Sequence, residues 1–199
     1  DAVISDNRFG LWNKNIPCAF MTHQLKIKSP FLENLIQKIN YSFINRFSQC
    51  WIIDSAEKNL AGELSIDKIM PRDYKYIGLI SRFNFSKREK RYKYLAIVSG
   101  PEPARTRLEK LILKELSKIE DRSLILLGKT EKIEDYMIGN CKVMSHASSK
   151  KINQYILESE IILSRPGYST IMDISKLGAN AIFIPTPGQT EQEYLAELY

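Results

Sequence analysis

The residues best suited to chemistry in this sequence lie in one stretch, SRPGYSTIMDISKLGANAIFIPTPGQTEQ, at 164–192. A predicted strand ends in a turn that contains Arg165 and Gly167, where glycine allows a tight bend. Thr170 is predicted as the N-cap of the next helix, and Asp173 follows three residues later. A helix that starts in this way directs its first amides at an anion such as a phosphate.

Two interpretations of this turn are open. In the first, the amides of Ser169 to Ile171 bind a phosphate, and Asp173 binds a ribose hydroxyl, as an acidic residue does in dinucleotide-binding folds. In the second, Thr170 and Asp173 form a capping box that does no more than start the helix.

A second candidate turn, VSGPEPAR, follows an apolar run and spans 98–105. Gly100 lets the backbone approach a ligand closely, and proline suits the first turn of a helix predicted from about Ala104. The positive end of that helix, together with Arg105, would attract an anion. Glycine and proline also mark any plain connection between a strand and a helix, so both interpretations are open here too.

The third candidate is the loop PTPGQTEQE at 185–193. Gln189, Gln192 and Glu193 carry side chains suited to hydrogen bonds with sugar hydroxyls. The same residues are common in an exposed first turn of a helix, which is the alternative.

The two histidines, His23 and His146, each follow a predicted strand. We expect both to face one cleft at the ends of the strands. A single histidine is more often structural than catalytic, so either role remains open at these positions.

Strand-length apolar runs alternate with helical patterns from residue 94 onward. The predicted strands are 94–99, 123–128, 141–144, 160–164 and 181–186. Helices are predicted at 104–120, around Ile152–Ile156, around Ile171–Leu177 and at Glu191–Leu198. Nearly continuous hydrophobic strands are typical of a parallel sheet covered on both faces, so the pattern predicts a doubly wound α/β domain at 92–199, incomplete at its C-terminus.

The first part of the chain has a different organisation. Strands are predicted at 2–5, 16–23 and 50–54, and a helix from Phe31 to Phe47. Residues 56–91 show no convincing periodic element other than 76–80, and we predict an interdomain linker at 66–91. Residues 1–65 would then be the incomplete end of a second α/β domain.

Composition and charge limit the classes of function. The sequence is 44% hydrophobic and 26% charged, as in an ordinary globular protein. No apolar run approaches the roughly 20 residues of a membrane-spanning helix, so we do not expect an integral membrane protein. The net charge of +6 favours an acidic partner, and the densest basic run is SKREKRYK at 86–93. That run, beside two tyrosines, also allows a basic nucleic-acid-binding module, although no RNA-binding motif is present.

The three cysteines, Cys18, Cys50 and Cys141, lie far apart in apolar runs. Their spacing does not match a zinc site, and we expect buried, reduced thiols in a cytoplasmic protein. The sequence opens inside a predicted strand, which suggests that it is part of a longer protein.

Taken together, ILSRPGYSTIMDISKLGANAIFIPTPGQTEQEYLAEL resembles the donor-domain signature of MurG-like glycosyltransferases, over roughly 160–198. The resemblance implies the GT-B fold, with a Rossmann-like donor domain and a partial second α/β domain. It also implies an inverting, metal-independent transfer of a sugar from a UDP-sugar to an acceptor hydroxyl, without a further cofactor. The acceptor would be a lipid-linked molecule or a saccharide, and the enzyme would be cytoplasmic, with a possible peripheral contact to an anionic membrane.

The resemblance also implies roles for individual residues. Donor binding is assigned to Gly100, His146, Arg165, Gly167, Ser169, Thr170, Asp173, Gln189, Gln192 and Glu193. Within this set, Ser169 and Thr170 offer amides to the diphosphate, and Asp173 binds the ribose. Gln192 and Glu193 face the donor sugar, and the backbone of Ser145 to Ala147 meets uracil. His23 matches a histidine at the end of the family's acceptor domain and is the catalytic candidate.

Two alternatives to a transferase use the same fold. One is a MurG-like hydrolase of UDP-sugars, in which water replaces the acceptor. The other is a nucleotide-sugar-binding subunit that needs a partner for catalysis. Because the family's glycine-rich acceptor loop is absent from the sequence, we expect this chain alone to bind a UDP-sugar but to be largely inactive.

Overall fold

The computed structural model describes residues 1–27, 32–57, 59–130 and 133–199. These residues form two compact units, Asp1–Ile80 and Ser81–Tyr199. In the described part of the chain, no helix has both the length and the apolar character needed to cross a membrane.

The first unit is built on a sheet of four parallel strands. The strands are β1 (Val3–Asp6), β2 (Cys18–Thr22), β3 (Gln49–Ile52) and β4 (Tyr74–Tyr76), in that order across the sheet. Helix α1 (Glu33–Ile44) connects β2 to β3 and packs Tyr41 and Ile44 against Phe20 and Ile52 of the sheet. The predicted helix start at Phe31 lies outside the described residues.

The second unit contains a sheet of six strands with helices on both faces. The strands are β5 (Tyr92–Ile97), β6 (Ser123–Leu126), β7 (Asp135–Ile138), β8 (Cys141–Met144), β9 (Ser159–Ser164) and β10 (Asn180–Phe183). The helices are α2 (Ala104–Leu116), α3 (Ser149–Leu157), α4 (Tyr168–Leu177) and α5 (Thr190–Leu198). The strand order is β10-β9-β5-β6-β8-β7, and β7 alone among these strands runs antiparallel to its neighbour.

The core of the second unit has two sides because alternate residues of a strand point to opposite faces. Leu108, Ile112 and Leu116 of α2 pack on one face, against a cluster that includes Ala96 and Ile125. On the other face, α3 and α4 contribute Ile156, Leu157, Ile174 and Leu177 to a cluster with Leu95, Leu124 and Ile162. The predicted doubly wound arrangement is therefore confirmed.

Two strands, β4 and β7, were not predicted from the sequence. β4 has three residues, which is too short for a detectable alternation of polar and apolar side chains. All four residues of β7 are exposed. An edge strand with so little burial has no hydrophobic pattern to reveal it.

The topology of the second unit brings the candidate loops to one edge of the sheet. β10, β9 and β5 are adjacent and parallel, so their carboxyl ends lie side by side. The loops that begin at Ile184, Arg165 and Val98 follow these three ends. Ligands of open α/β sheets bind at this edge, outside the carboxyl ends of the strands.

Candidate functional site

The N-terminus of α4 lies at the centre of this edge, and its N-cap is Gly167. The Gly167 carbonyl accepts hydrogen bonds from the amides of Thr170 at 2.9 Å and Ile171 at 3.1 Å. Thr170 is therefore the third residue of the helix, and the prediction that it is the N-cap is wrong. The helix begins earlier because Tyr168, only 3% exposed, extends the buried stripe of Ile171 and Met172 by one turn.

The expectation that Gly167 is needed for a tight bend is also wrong. Its φ of −70° and ψ of 139° are open to any residue with a side chain. An added Cβ would meet the Thr170 hydroxyl at 3.9 Å, which is an ordinary contact. The turn does not require glycine, and the absence of a side chain leaves the backbone at the helix start uncovered.

The backbone amides of Ser169 and Thr170, both predicted to bind a diphosphate, differ in whether they are free to do so. The Thr170 amide already donates to the Gly167 carbonyl. Ser169, in contrast, is an exposed residue in the first turn of α4, where amides have no acceptor within the helix. The positive end of the helix dipole and the Ser169 amide are thus the parts of this turn that can receive an anion.

Asp173 is half-buried in the second turn of α4. One carboxylate oxygen, Oδ1, accepts a hydrogen bond from the Ser81 hydroxyl at 2.6 Å. Burial raises the pKa of Asp173, while the Ser81 hydrogen bond and the charge of Arg82 act in the opposite direction. A carboxylate fixed in this way is a suitable acceptor for hydroxyl groups.

Arg165 is 6% exposed and lies in the short connection between β9 and α4. Its Nη1 donates to the carbonyls of Ile184, at 2.9 Å, and Pro185. Its Nη2 donates to the Ala104 carbonyl at 3.2 Å. The guanidinium group therefore joins the segments that follow β9 and β10 to the first residue of α2.

Three buried polar atoms near this edge have no hydrogen-bond partner among the described residues. They are the Ser164 hydroxyl, the Thr186 hydroxyl and Nε of Arg165. Buried polar groups are normally hydrogen-bonded, and unpaired ones are costly. These three groups lie at or just after the ends of β9 and β10.

Gln189, Gln192 and Glu193 order the loop before α5. The Thr186 amide donates to the Gln192 side chain at 2.9 Å, and the Gly188 amide donates to Glu193 Oε1 at 2.8 Å. The Gln192 side-chain amide also donates to the carbonyl oxygen of the Gln189 side chain. All three side chains are half-buried. They were predicted to bind a sugar, and in the structure they stabilise the loop by hydrogen bonds.

Gly100 lies in the exposed loop after β5 and has a φ of +109°, which favours glycine. Arg105, expected to add positive charge here, pairs with Glu102 at 2.7 Å and donates to the Gly128 carbonyl at 3.1 Å. At Gly128 a Cβ would lie 2.6 Å from the Val98 carbonyl oxygen. These contacts hold the loops after β5 and β6 together, and Glu102 offsets the charge of Arg105.

His146 follows β8 and is exposed. Its Nδ1 lies 3.3 Å from the hydroxyl of Ser145. The Ser145 amide donates to the Glu134 carbonyl, and the Ser145 carbonyl accepts from the Lys129 amide, each at 2.9 Å. Both backbone polar groups of Ser145 are thus already hydrogen-bonded within the chain, which leaves the backbone of His146 and Ala147 as the candidate contact for a nucleotide base.

His23 belongs to the first unit, where it follows β2 and is half-buried. The next strand, β3, is followed by Asp54, which is fully buried. The Asp54 carboxylate accepts from the amides of Ser55, Leu60 and Ala61 and from the Ser65 hydroxyl, at 2.6–3.0 Å. Asp54 therefore anchors the loop after β3.

Sequence reasoning missed Ser81 and the two unpartnered hydroxyls of Ser164 and Thr186. Ser81 lies in a stretch without periodicity, so no local pattern indicates its contact with Asp173. Ser164, in contrast, is a polar residue at the end of an apolar strand, and that position is a usable signal. In the four described ranges, no group of three or more His, Cys, Asp or Glu side chains is arranged to hold a metal ion.

Comparison with known proteins identifies the family. The model for the glycosyltransferase family 28 C-terminal domain matches residues 95–198, more than half of the chain. No curated protein matches the sequence. The matched range includes most of the second unit and every candidate donor-binding residue. Its mostly parallel sheet and flanking helices form the Rossmann-like donor domain of the GT-B fold, as expected. The chain belongs to glycosyltransferase family 28, whose members transfer a sugar from a nucleotide-sugar donor to an acceptor.

Proposed function

We propose that the chain is the donor-binding part of a MurG-like, inverting glycosyltransferase that uses a UDP-sugar. The acceptor is a hydroxyl group that attacks the anomeric carbon of the sugar while UDP leaves. The donor is the substrate, and the proposal includes no further cofactor. Family membership and the geometry of one sheet edge in the second unit support it.

The observation that carries the proposal is the position of Asp173. It lies in the second turn of α4, behind the N-terminus that follows the carboxyl end of β9. A diphosphate at the exposed amide of Ser169 would bring the adjoining ribose close to a carboxylate in this position. The Ser81 hydrogen bond favours the ionised form of that carboxylate, which accepts hydrogen bonds from ribose hydroxyls.

The protein would stabilise the negative charge that develops on the leaving UDP. The positive end of α4, with the exposed amide of Ser169 in its first turn, faces the proposed diphosphate. Fixed dipoles and charges of this kind stabilise a developing anion without reorganisation. We therefore propose transfer without a metal ion.

The remaining contacts follow from the neighbouring loops. Uracil would meet the backbone of His146 and Ala147 after β8, and the loop at Gly100 would lie near the phosphates. The donor sugar would meet Gln189, Gln192 and Glu193, whose backbone contacts already fix their loop. His23, at the end of β2, is the proposed base on the acceptor side.

Calorimetric titration of the chain with UDP, ADP and UDP-GlcNAc tests donor binding. We expect binding of UDP in preference to ADP. Loss of a hydrogen bond to a charged group costs about 1.5–3 kcal/mol, so Asp173→Ala should weaken UDP binding about 10- to 150-fold. A folded chain that binds no nucleotide would contradict the proposal.

Product analysis separates the catalytic alternatives. Incubation with UDP-GlcNAc and candidate acceptors gives a glycoside for a transferase, or free sugar and UDP for a hydrolase. Donor binding with neither product indicates the nucleotide-sugar-binding subunit. If transferase activity then appears when an acceptor domain is added, the chain is the donor-binding part of a transferase.

A groove in the second unit supports the further proposal of peripheral contact with an anionic membrane. It has a volume of about 390 Å³ and lies between residues 82–88 and α3. Its described lining includes Arg82, Arg88 and Lys150 and contains no carboxylate. Phe85, at the same groove, is 68% exposed, and an exposed aromatic ring suits the headgroup region of a bilayer.

Liposome sedimentation tests this contact. The chain should bind vesicles that contain phosphatidylglycerol, and a charge-reducing Arg88→Gln/Lys150→Gln variant should bind them less. Vesicles of phosphatidylcholine alone provide the comparison. Equal binding to both vesicle types would contradict the proposal, and tighter, salt-sensitive binding to an oligonucleotide would favour the nucleic-acid alternative.

A further inference from the structure

Arg165 is a buried cation at the centre of the proposed donor edge. Only 6% of the residue is exposed, and its three recorded hydrogen bonds all go to backbone carbonyls. Within the described residues, Arg165 forms no ion pair with a carboxylate. Burial lowers the pKa of its guanidinium group. An unpaired buried charge is costly to stability, so its presence here calls for a physical reason.

The three carbonyls belong to two segments that are far apart in the sequence. Ile184 and Pro185 follow β10, whereas Ala104 is the first residue of α2. Arg165 itself connects β9 to α4. The planar guanidinium group can donate in several directions at fixed angles, and a lysine ammonium on a flexible stem cannot reproduce that geometry.

We propose that Arg165 is a positioning residue for nucleotide-sugar binding, which fixes the loops after β5 and β10 relative to the N-terminus of α4. Its Nη1 and Nη2 donate to backbone carbonyls and the residue is buried, so Arg165 acts through these loops and not through direct contact with the donor. In this proposal, the positioning role replaces the direct donor contact that the family resemblance implies for Arg165. The inference rests on the proposed function, because the loops that it joins are those proposed to surround the diphosphate and the sugar.

Two substitutions separate geometry from charge. Arg165→Lys keeps the positive charge and loses the planar fork, whereas Arg165→Gln loses the charge and keeps a planar amide. Arg107→Gln is the matched control, since Arg107 lines the same cavity as Arg165 between α2 and residues 184–187, but is exposed. Thermal unfolding identifies the variants that remain folded at the temperature of the binding measurements.

The first measurement is binding of UDP by calorimetry and of uridine by ligand-detected NMR. We expect UDP affinity to fall about tenfold or more in both Arg165 variants, with uridine affinity changed less than about threefold. Arg107→Gln should bind both ligands like the original chain. If Arg165→Lys binds UDP with the affinity of the original chain, charge alone matters and the inference is overturned. Equal losses of affinity for UDP and for uridine would also overturn it.

The second measurement does not depend on a ligand. Amide hydrogen exchange should be faster at residues 184–189 and 104–107 in Arg165→Gln and Arg165→Lys than in Arg107→Gln. Unchanged exchange in both segments would overturn the inference. If the original chain binds no UDP while exchange responds as expected, the proposed function fails and the positioning of the loops by Arg165 stands.

Discussion

The Ser81 hydroxyl donates a 2.6 Å hydrogen bond to the carboxylate of Asp173. Ser81 precedes β5 in a segment without helix or strand, and Asp173 lies 92 residues later in α4. The bond favours the ionised carboxylate, whereas burial favours the neutral acid. The residue proposed to bind the ribose is therefore held in place by a residue distant in sequence, whose hydrogen bond opposes the rise in the pKa of Asp173 that burial causes.

Replacement of Ser81 by alanine should raise the pKa of Asp173 further, because the hydrogen bond that lowers it is lost. UDP affinity should fall about 3- to 30-fold at neutral pH and more strongly as the pH is lowered. The carboxyl carbon resonance of Asp173 reports the pKa, and calorimetry reports the affinity. Ser175→Ala, at an exposed position of the same helix, is the control. An unchanged Asp173 titration in Ser81→Ala would contradict the expectation.

Asp173→Asn should separate stability from binding. Because burial raises the pKa of Asp173 in the folded chain above its unfolded value, the stabilising contribution of its neutral form is present below the unfolded pKa. That contribution is lost as the pH rises through the folded pKa. Asparagine is neutral throughout and retains a side-chain oxygen that can accept from Ser81.

The melting temperature of Asp173→Asn relative to the original chain should therefore increase as the pH rises from 4 to 7. UDP affinity should decrease in the same variant. Opposite changes in stability and binding are the pattern expected when a buried charge is retained for function. A melting-temperature difference that does not vary with pH would show that burial of Asp173 does not control this titration.

The extent to which the sequence predicts the structure depends on how much local burial each element has. Buried strands such as Ser123–Leu126 and amphipathic helices such as Ala104–Leu116 carry a periodic pattern, and both were predicted. Asp135–Ile138 is exposed throughout and owes its strand conformation to pairing with β8, which no local pattern encodes. The edge of the sheet that collects the candidate loops could be predicted because parallel strands fix it.

The detailed geometry of the site could not be predicted in the same way. Thr170 and Asp173 match a capping pattern, yet burial of Tyr168 moves the helix start to the preceding turn. The sequence predicts that Arg165 binds the ligand, but its Nη1 and Nη2 donate to the carbonyls of Ile184, Pro185 and Ala104. These outcomes depend on tertiary contacts, so local propensity does not determine them.

The three cysteines provide a test of the predicted buried thiols. Cys18, Cys50 and Cys141 are free and at most 2% exposed. Burial raises the pKa of Cys50 to about 12 and that of Cys141 to about 11. Since the thiolate is the reactive form, alkylation by iodoacetamide at pH 8 should be at least about 100-fold slower than for an exposed cysteine. Mass spectrometry should detect full labelling in urea, and rapid labelling of the folded chain would contradict this burial.

Asp54 should be a major determinant of stability in the first unit. The Asp54 carboxylate accepts hydrogen bonds from three backbone amides and one hydroxyl, and Asp54→Asn places an NH2 donor against some of these donors. The substitution should destabilise the unit by about 2–4 kcal/mol. Both tryptophans, Trp12 and Trp51, lie in this unit, so their fluorescence reports its unfolding in urea. Glu57→Gln, at an exposed position of the same loop, is the control. Equal urea midpoints for the two variants would contradict this role.

Glu193 allows its structural and ligand-binding roles to be distinguished. Its Oε1 accepts from the Gly188 amide at 2.8 Å, and Glu193→Gln retains a carbonyl oxygen that can accept the same bond. Glu193→Ala removes that acceptor, so the loop before α5 should exchange its Gly188 amide faster in the alanine variant alone. This difference measures the structural role without a ligand.

The binding role predicts a different pattern from the same two variants. If Glu193 contacts the donor sugar, Glu193→Gln should change the affinity for UDP-GlcNAc by about 3- to 30-fold and leave the affinity for UDP unchanged, because only the sugar loses its partner. Glu193→Ala should weaken the binding of both ligands, since it also removes the hydrogen bond that orders the loop. Equal UDP-GlcNAc affinities in the original chain and Glu193→Gln would limit Glu193 to ordering the loop. The choice of donor sugar would then depend on other groups at this sheet edge, with Gln189 and Gln192 as the next residues to vary.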